Sequence, residues 1–374
     1  MNNLSQADVL IAGAGPTGLA AALFLARRGR RVRLVDQAEA PAATSRAQVI
    51  NPRSLELLEP TGVTAAVLRE ARPIRGVRFY EGWRRIGEID FSGLPARHAM
   101  SVLPQARTEA LLTEALSRHG LAPERGLRLE ALRQEAGLVL TEVTDTAGRR
   151  QTLRSSLLLG ADGAHSAVRK ALGLGFPGSS FPEAWPLFDV ALNDPLDLDH
   201  AHIAFVPRGL VFMLALRQGL WRVFGNVAAP LEHLPPGTEA GEAVWTSNFH
   251  ISHRRAAQVL AGRVALAGDA AHIHSPAGAR GMNLGIEDAF VFAACAADAL
   301  EGRPGRLADY ARLRHPLHAR VVRRMALLTR LARGRPALVG HLRHLLFPLA
   351  ASLGPAAHRM RDFLAGIDQP LEIS

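Results

Sequence analysis

The stretch LAGDAAHIHSPAGARGMN, residues 266–283, holds the residue types most able to do chemistry: Asp269, His272, His274 and two glycines, Gly278 and Gly281. On an extended strand His272 and His274 face the same way, and with Asp269 they would offer a metal two nitrogens and an oxygen. No further His/Cys/Asp/Glu cluster with zinc-like spacing accompanies them, so no metal is expected. The glycines suit another ligand. They let backbone amides approach something flat and anionic, and Met282 and Asn283 open a helix predicted over 282–300, where free N–H groups favour negative charge.

A second candidate stands near the N-terminus. DVLIA (8–12) reads as a strand, GAGPTG (13–18) as a turn and LAAALFLARRG as a helix ending at Gly29; RVRLVD then forms a strand closing on Asp36. This is G-x-G-x-x-G inside a βαβ unit, with an acid at the end of the second strand. Gly13, Gly15 and Gly18, with Pro16 and Thr17 between them, bring a helix N-terminus to a pyrophosphate, and Asp36 can accept from a ribose hydroxyl. The same spacing recurs in GLGFPG (173–178), but there it follows a helix, so it reads as a helix end plus turn. One dinucleotide site is expected.

These motifs need elements to hold them. Helices are predicted over 53–59 and 107–119, and strands over 75–92 and from 127 to GADG at 160–163. Between 180 and 255 aromatic residues, prolines and alternating stretches such as LWRVFGNV indicate a β-rich block. The fold class is therefore α/β: a Rossmann-like domain with a mostly parallel sheet, an inserted β-rich substrate domain, and C-terminal helices. The expected boundaries are 1–72, 101–179 and 256–305 for the nucleotide domain, 73–100 and 180–255 for the substrate domain, and 306–374 for the helical region.

Composition narrows the function classes. The chain has 374 residues, a net charge of +10 and a single cysteine, Cys295, which excludes an internal disulfide and fits a reducing cytoplasm. Arginines are scattered along the chain and aromatics make up 5%, so nucleic-acid binding is not expected. The uncharged run 9–26 is broken by glycines and a proline, and basic residues follow rather than precede it, so it reads neither as a membrane span nor as a signal peptide. The apolar stretch 337–353 carries His341, Arg343 and His344; a packing or homodimer helix is expected there, without stable membrane insertion.

Taken together, GAGPTG, GADGAHSAVR (160–169) and GRVALAGDAAHIHSPAGARGMNLGIEDA (262–289), with SRAQVINPRSLELLEPTGV (45–63) and LPQARTEALL (103–112), resemble the FAD-dependent aromatic hydroxylases, the group A flavoprotein monooxygenases. The resemblance implies that Asp269 accepts from the ribityl chain and that 276–283 line the isoalloxazine. Gly278 and Gly281 would leave room for the ring, the amides of Met282 and Asn283 would face its N1–C2=O edge, and the Pro276 carbonyl would lie near C4a. It places Arg46, Gln105 and Asp162 near the cofactor. From the residues alone, Asp162 reads as a helix cap, Arg46 as a surface charge and Gln105 as a polar residue before a helix. His272 is expected to make structural hydrogen bonds and His274 to sit near the ring. The loop departs from the G-G-Q-G-M-N of many relatives. Ala279 is compatible only if its φ is not positive, and Arg280 either brings a cation to the flavin edge or points outward.

The activity implied is hydroxylation of an aromatic or polyketide-like small molecule with FAD, O2 and transient NADPH or NADH, through a flavin C4a-hydroperoxide. Pocket liners are expected from 73–100 and 180–255, with His202, Phe205, Met213 and Arg222 among the candidates. The rivals are a halogenase or prenyl reductase on the same fold, and a flavin-binding protein without turnover. Isolated tryptophans (83, 185, 221, 245) argue against the halogenase.

Overall fold

The structure, a computed structural model, describes residues 6–43, 47–207, 209–333, 354–371 and 373. Arg46 and the apolar stretch 337–353 lie outside the described residues.

The uncharged run near the N-terminus folds as strand Ala7–Ala12, a glycine turn and helix α1, Pro16–Ala26. Every residue of α1 from Thr17 to Leu25 is buried, which is why the segment is apolar on all faces. Strand Ala7–Ala12 lies at the centre of the first sheet, parallel to Val32–Asp36 on one side and to Arg150–Gly160 on the other. Val264–Leu266 continues the parallel set beyond Arg150–Gly160. A hairpin of Arg128–Glu135 and Leu138–Thr144 joins the same strand antiparallel. The strand ends leading to the glycine turn, to residue 161 and to residue 267 therefore lie side by side. Ligand sites of parallel sheets form at such edges.

Helix α2, Pro52–Leu58, is capped by the Asn51 side chain accepting from the Ser54 amide. Gly62, at φ +79°, separates it from α3, Val63–Glu70. Helix α4 spans Gln105–Ser117, starting two residues before the predicted bound, and the short α5 spans Ala167–Ala171. Gly173, at φ +65°, follows α5 in the left-handed region, so the second glycine run ends a helix as expected.

The second sheet has eight strands in the order His272–Ile273, Ala240–Arg255, Gly178–Leu192, Leu220–Gly225, Gly209–Arg217, His200–Val206, Gly76–Glu81 and Arg84–Asp90. Its first strand belongs to the 266–283 stretch, so that loop is stitched directly to the second sheet. Helix α6, Gly281–Leu300, packs across α1, and α7, Arg306–Arg333, runs from the first core to the second. Helix α8, Gly354–Ala365, supplies Phe363 and Leu364 to that second core, beside Val321 and Met325 of α7. No helix among the described residues is long and apolar enough to cross a membrane.

Candidate flavin cavity

The glycine turn is shaped by close approach. A Cβ on Gly18 would overlap the Gly13 carbonyl oxygen, and one on Gly13 (φ +104°) would overlap that of Ala161, whereas Gly15 faces open space. Asp36 fastens the turn: its Oδ2 accepts from the Ala14 amide at 2.5 Å and its Oδ1 from the Ala38 amide at 2.8 Å. Thr17 nests between Gly268 and Gly285, where any Cβ would collide with its Oγ1. Gly285 was not singled out from the sequence; its place in helix α6 against α1 is the signal that could have shown it.

A cavity of about 610 Å3 opens at this edge and continues under the second sheet. One end is walled by Gly15, Pro16, Thr17, Gln105, Asp269, Pro276, Gly281 and Met282, together with Gln48 and His165, which the sequence reading missed. Gly281 has no atom within 4 Å of where a Cβ would stand, leaving space for a planar group against the backbone. Asp269 is exposed into this space.

Several expected residues work from behind the wall. The Asp162 carboxylate accepts from Ser166 Oγ at 2.5 Å and from the Val168 amide at 3.1 Å, so its side chain caps α5, while neighbours Ala161 and Gly163 line the cavity. Asn283 is fully buried. Its Oδ1 accepts from the Asn51 amide at 3.0 Å, and its Nδ2 donates to the carbonyls of Val49 and Ala279 at 2.9 and 2.6 Å. Its side chain thus ties the loop to α2. The amides at the start of α6 have no carbonyl one turn earlier in the helix and stay available to a ligand. Gly278 lines the cavity with its backbone, and a Cβ there would press on Met325 and approach Leu364, so its missing side chain also serves helix packing.

Two loop expectations need correction. Ala279 does adopt a positive φ, +50°, one of three such non-glycine residues described. Its amide donates to the Pro276 carbonyl at 3.0 Å, and its own carbonyl accepts from Asn283, so the turn is held from both sides. Arg280 reaches neither the flavin edge nor solvent. It is buried behind the loop, with Nη2 3.3 Å from Glu287 and its guanidinium 5.5 Å from the Phe363 ring.

His272 and His274 part company. Asp288 of α6 is wholly buried. Its Oδ2 accepts from the Gly268 amide at 3.0 Å and contacts His272 Nε2 at 2.8 Å; its Oδ1 accepts from Arg314 Nε at 2.6 Å and contacts His318 Nε2 at 2.7 Å. Among the described residues, His272, Asp288 and His318 are the one group with a metal-binding composition. The Arg314 guanidinium already supplies the cation there, which opposes a second positive ion. Despite burial, its contacts with His318, Arg314 and His272 hold the Asp288 carboxyl well below the ordinary range. His274 lines the cavity; its Nδ1 contacts the Ser275 carbonyl at 2.9 Å, and burial pushes it down to about 3. It is therefore a neutral imidazole, with the proton on Nδ1 and an acceptor lone pair on Nε2.

The other end of the cavity is aromatic and apolar. Phe91, Ala201, Phe212, Leu214, Phe224, Phe249 and Leu364 wall it, with Arg222 and His250 as polar members. Arg222 is 3% exposed and forms a forked pair with Asp189 across the paired strands, Nε to Oδ1 at 2.7 Å and Nη2 to Oδ2 at 2.8 Å. Oriented with its oxygen toward Arg222, the Gln48 amide accepts from the same guanidinium at 3.0 Å. Of the other expected liners, Phe205 is buried in the inner core without reaching the cavity. His202 and Met213, which face each other across the strands, project to the opposite side of the sheet. There His202 contacts Tyr80 Oη at 3.0 Å.

The match to known families falls on this arrangement. A family model described as "FAD binding domain" matches residues 6–217 and 228–325. The chain belongs to the FAD binding domain family.

Within that family, the chain is 34% identical to a 6-methylpretetramide 4-monooxygenase of Streptomyces rimosus, over 84% of this chain and 60% of the relative. It is 32% identical to a pentachlorophenol 4-monooxygenase of Sphingobium chlorophenolicum, over 76% of this chain and 57% of the relative. The chain thus spans about 60% of the length of these relatives. Among solved structures, the OxyS anhydrotetracycline hydroxylase from Streptomyces rimosus superposes with a TM-score of 0.82 at 30% identity, covering 97% of this chain and 76% of that one. The residues here fit an FAD. Gly15 and Gly281 leave open the space that a side chain would take, Asp269 offers acceptors between them, and two helix N-termini supply amides.

Proposed function

We propose that the chain is an FAD-dependent monooxygenase that hydroxylates an aromatic or polyketide-like small molecule, using O2 and NADH or NADPH. The observation that carries this reading is the single cavity joining the dinucleotide-type turn to an aromatic chamber. When bound, FAD supplies the redox chemistry that accepts hydride and activates dioxygen. The protein's part is to bind, orient and keep water out.

In this reading Gly15, Pro16 and Thr17 hold the pyrophosphate end, and Asp36 serves it by fixing the Ala14 amide. Asp269 accepts from the ribityl hydroxyls, and the backbone from Pro276 to Asn283 borders the ring. Gln105 and Asp162 act beside them, Gln105 from the wall and Asp162 by fixing the start of α5. The phenyl rings of the second sheet present π-faces suited to a flat substrate, and their apolar walls exclude water from the reacting centre. Arg222 is neutralised by Asp189, so the chamber favours a neutral ring system with a hydrogen-bonding group at that end. His274 is too weak a base to deprotonate a phenol at neutral pH; it serves as an acceptor that orients a hydroxyl.

The test is substrate-stimulated oxidation of NADH or NADPH with coupled oxygen uptake by the yellow, FAD-loaded protein across a panel of phenols and polycyclic polyketides. Stimulation by none of them would leave a flavin binder without turnover. Oxidation without oxygen uptake would point to reductase chemistry. Asp269→Ala should lower retained flavin sharply, and unchanged flavin content would remove that residue from the site.

A further inference from the structure

Behind the flavin-facing loop lies a second cavity, of about 390 Å3, that shares no wall residue with the first. One face of α6 lines it through Arg280, Glu287 and Val291, and α7 contributes Leu313, Arg314, Leu317 and Arg320 among others. The segment from Gly366 to Leu371, with Ile373, closes it. Arg53 pins that segment, with Nε donating to the Gly366 carbonyl at 3.3 Å and Nη2 to that of Gln369 at 3.1 Å.

The charge of this cavity is incompletely matched. Arg280 is 1% exposed, and its one ionic contact is Glu287 at 3.3 Å through Nη2; Nε and Nη1 have no acceptor. Glu287 is shared, because Arg314 also contacts it at 3.3 Å, although Arg314 draws most of its compensation from Asp288. Arg320 is exposed at the rim. Among the described residues, four arginines line the cavity with two carboxylates, Glu287 and Asp368; Arg312 pairs with Asp309, Arg314 with Asp288 and Asp368 also with Arg324, so the buried donors left over are those of Arg280. Guanidinium donors left buried without acceptors destabilise the fold unless a ligand supplies them. The Nε–H and Nη1–H donors lie on different edges of the guanidinium plane, so each can give one charge-assisted hydrogen bond to an oxyanion oxygen.

We infer that this cavity is a binding site for a small oxyanion, a phosphate or carboxylate group, held by Arg280 in depth and Arg320 at the rim. Arg280 is the residue on which α6 begins, directly before Gly281 and Met282 of the flavin cavity. An anion bound there therefore acts on the flavin loop from its rear.

The test uses the FAD-loaded protein, so that the pyrophosphate site is filled. Inorganic phosphate and acetate are titrated separately at constant ionic strength held with chloride, and binding is read by calorimetry and by the thermal midpoint. A saturable response to either is expected, and the arm that responds identifies the source. Arg280→Gln should weaken binding by about tenfold or more, which is the loss of one buried charge-assisted contact. Arg320→Gln, at an exposed position, should weaken it several-fold with folding intact. If Arg280→Gln does not fold, Arg320→Gln decides alone. The inference is overturned if the wild type responds to neither anion beyond chloride, or if the folded variants bind as tightly as the wild type.

Discussion

At the scale of single residues, the glycine turn rests on Gly13 and Gly18, where no side chain fits. Gly18→Ala would press a methyl group into the Gly13 carbonyl. Overpacking of this kind costs roughly 1–3 kcal/mol, and here it also moves the turn proposed to present amides to the cofactor. A lower thermal midpoint together with weaker FAD retention is expected; a normal midpoint with full flavin would contradict the close approach. The histidines give a second prediction. Burial holds His274 and His318 at about 3 in the folded chain, against an unfolded value near 6.5. Below about pH 6.5 the unfolded chain takes up protons that the folded chain refuses, so stability falls as pH drops from there toward 3. Each histidine contributes at most about 1.4 kcal/mol per pH unit in that window. Denaturant midpoints measured between pH 7 and pH 5 should decline, and His274→Gln should flatten the slope.

At the scale of elements, Asp288 joins the turn at Gly268, the strand at His272 and helix α7 through Arg314 and His318. Asp288→Asn keeps the shape but leaves Arg314 buried with reduced compensation, which costs roughly 3–5 kcal/mol for a broken buried pair. The midpoint should fall, and flavin affinity with it, because Gly268 immediately precedes Asp269. Flavin affinity equal to the wild type in the folded variant would show that the hub does not position Asp269. The glycine turn, Asp36 and the helix of the 262–289 stretch were legible in the sequence because local spacing alone defines them. The Asp288 hub was not, since its partners come from three separate elements. The direction of Arg280 was not legible either: the buried face of α6 is set by α7 and by the segment after α8, distant in the chain.

At the scale of the molecule, the two sheets divide the labour. The first builds the cofactor cradle and the second builds the chamber, and the proposed division can be tested by filling one end alone. Ala201→Phe should block substrate stimulation while leaving FAD bound; loss of flavin as well would show that the two ends are not separable. The alternation of the second sheet was visible in the sequence, but its phase was not. Both faces are buried, by separate apolar clusters, so hydrophobicity marked neither as inner. This is why Arg222 was placed on the cavity side correctly, whereas His202 and Met213 were not.

The central strand Ala7–Ala12 has as its parallel neighbours one strand close by in sequence and another, Arg150–Gly160, from the middle of the chain; Val264–Leu266 lies beyond that one. Pairings between such remote segments form late, because the loop-closure entropy is spent before the contacts return anything. The proposed cofactor cradle is assembled from the ends of Ala7–Ala12, Arg150–Gly160 and Val264–Leu266. During refolding, flavin capture should therefore lag behind helix formation, and quenching of free FAD would serve as a clock for the last step of folding.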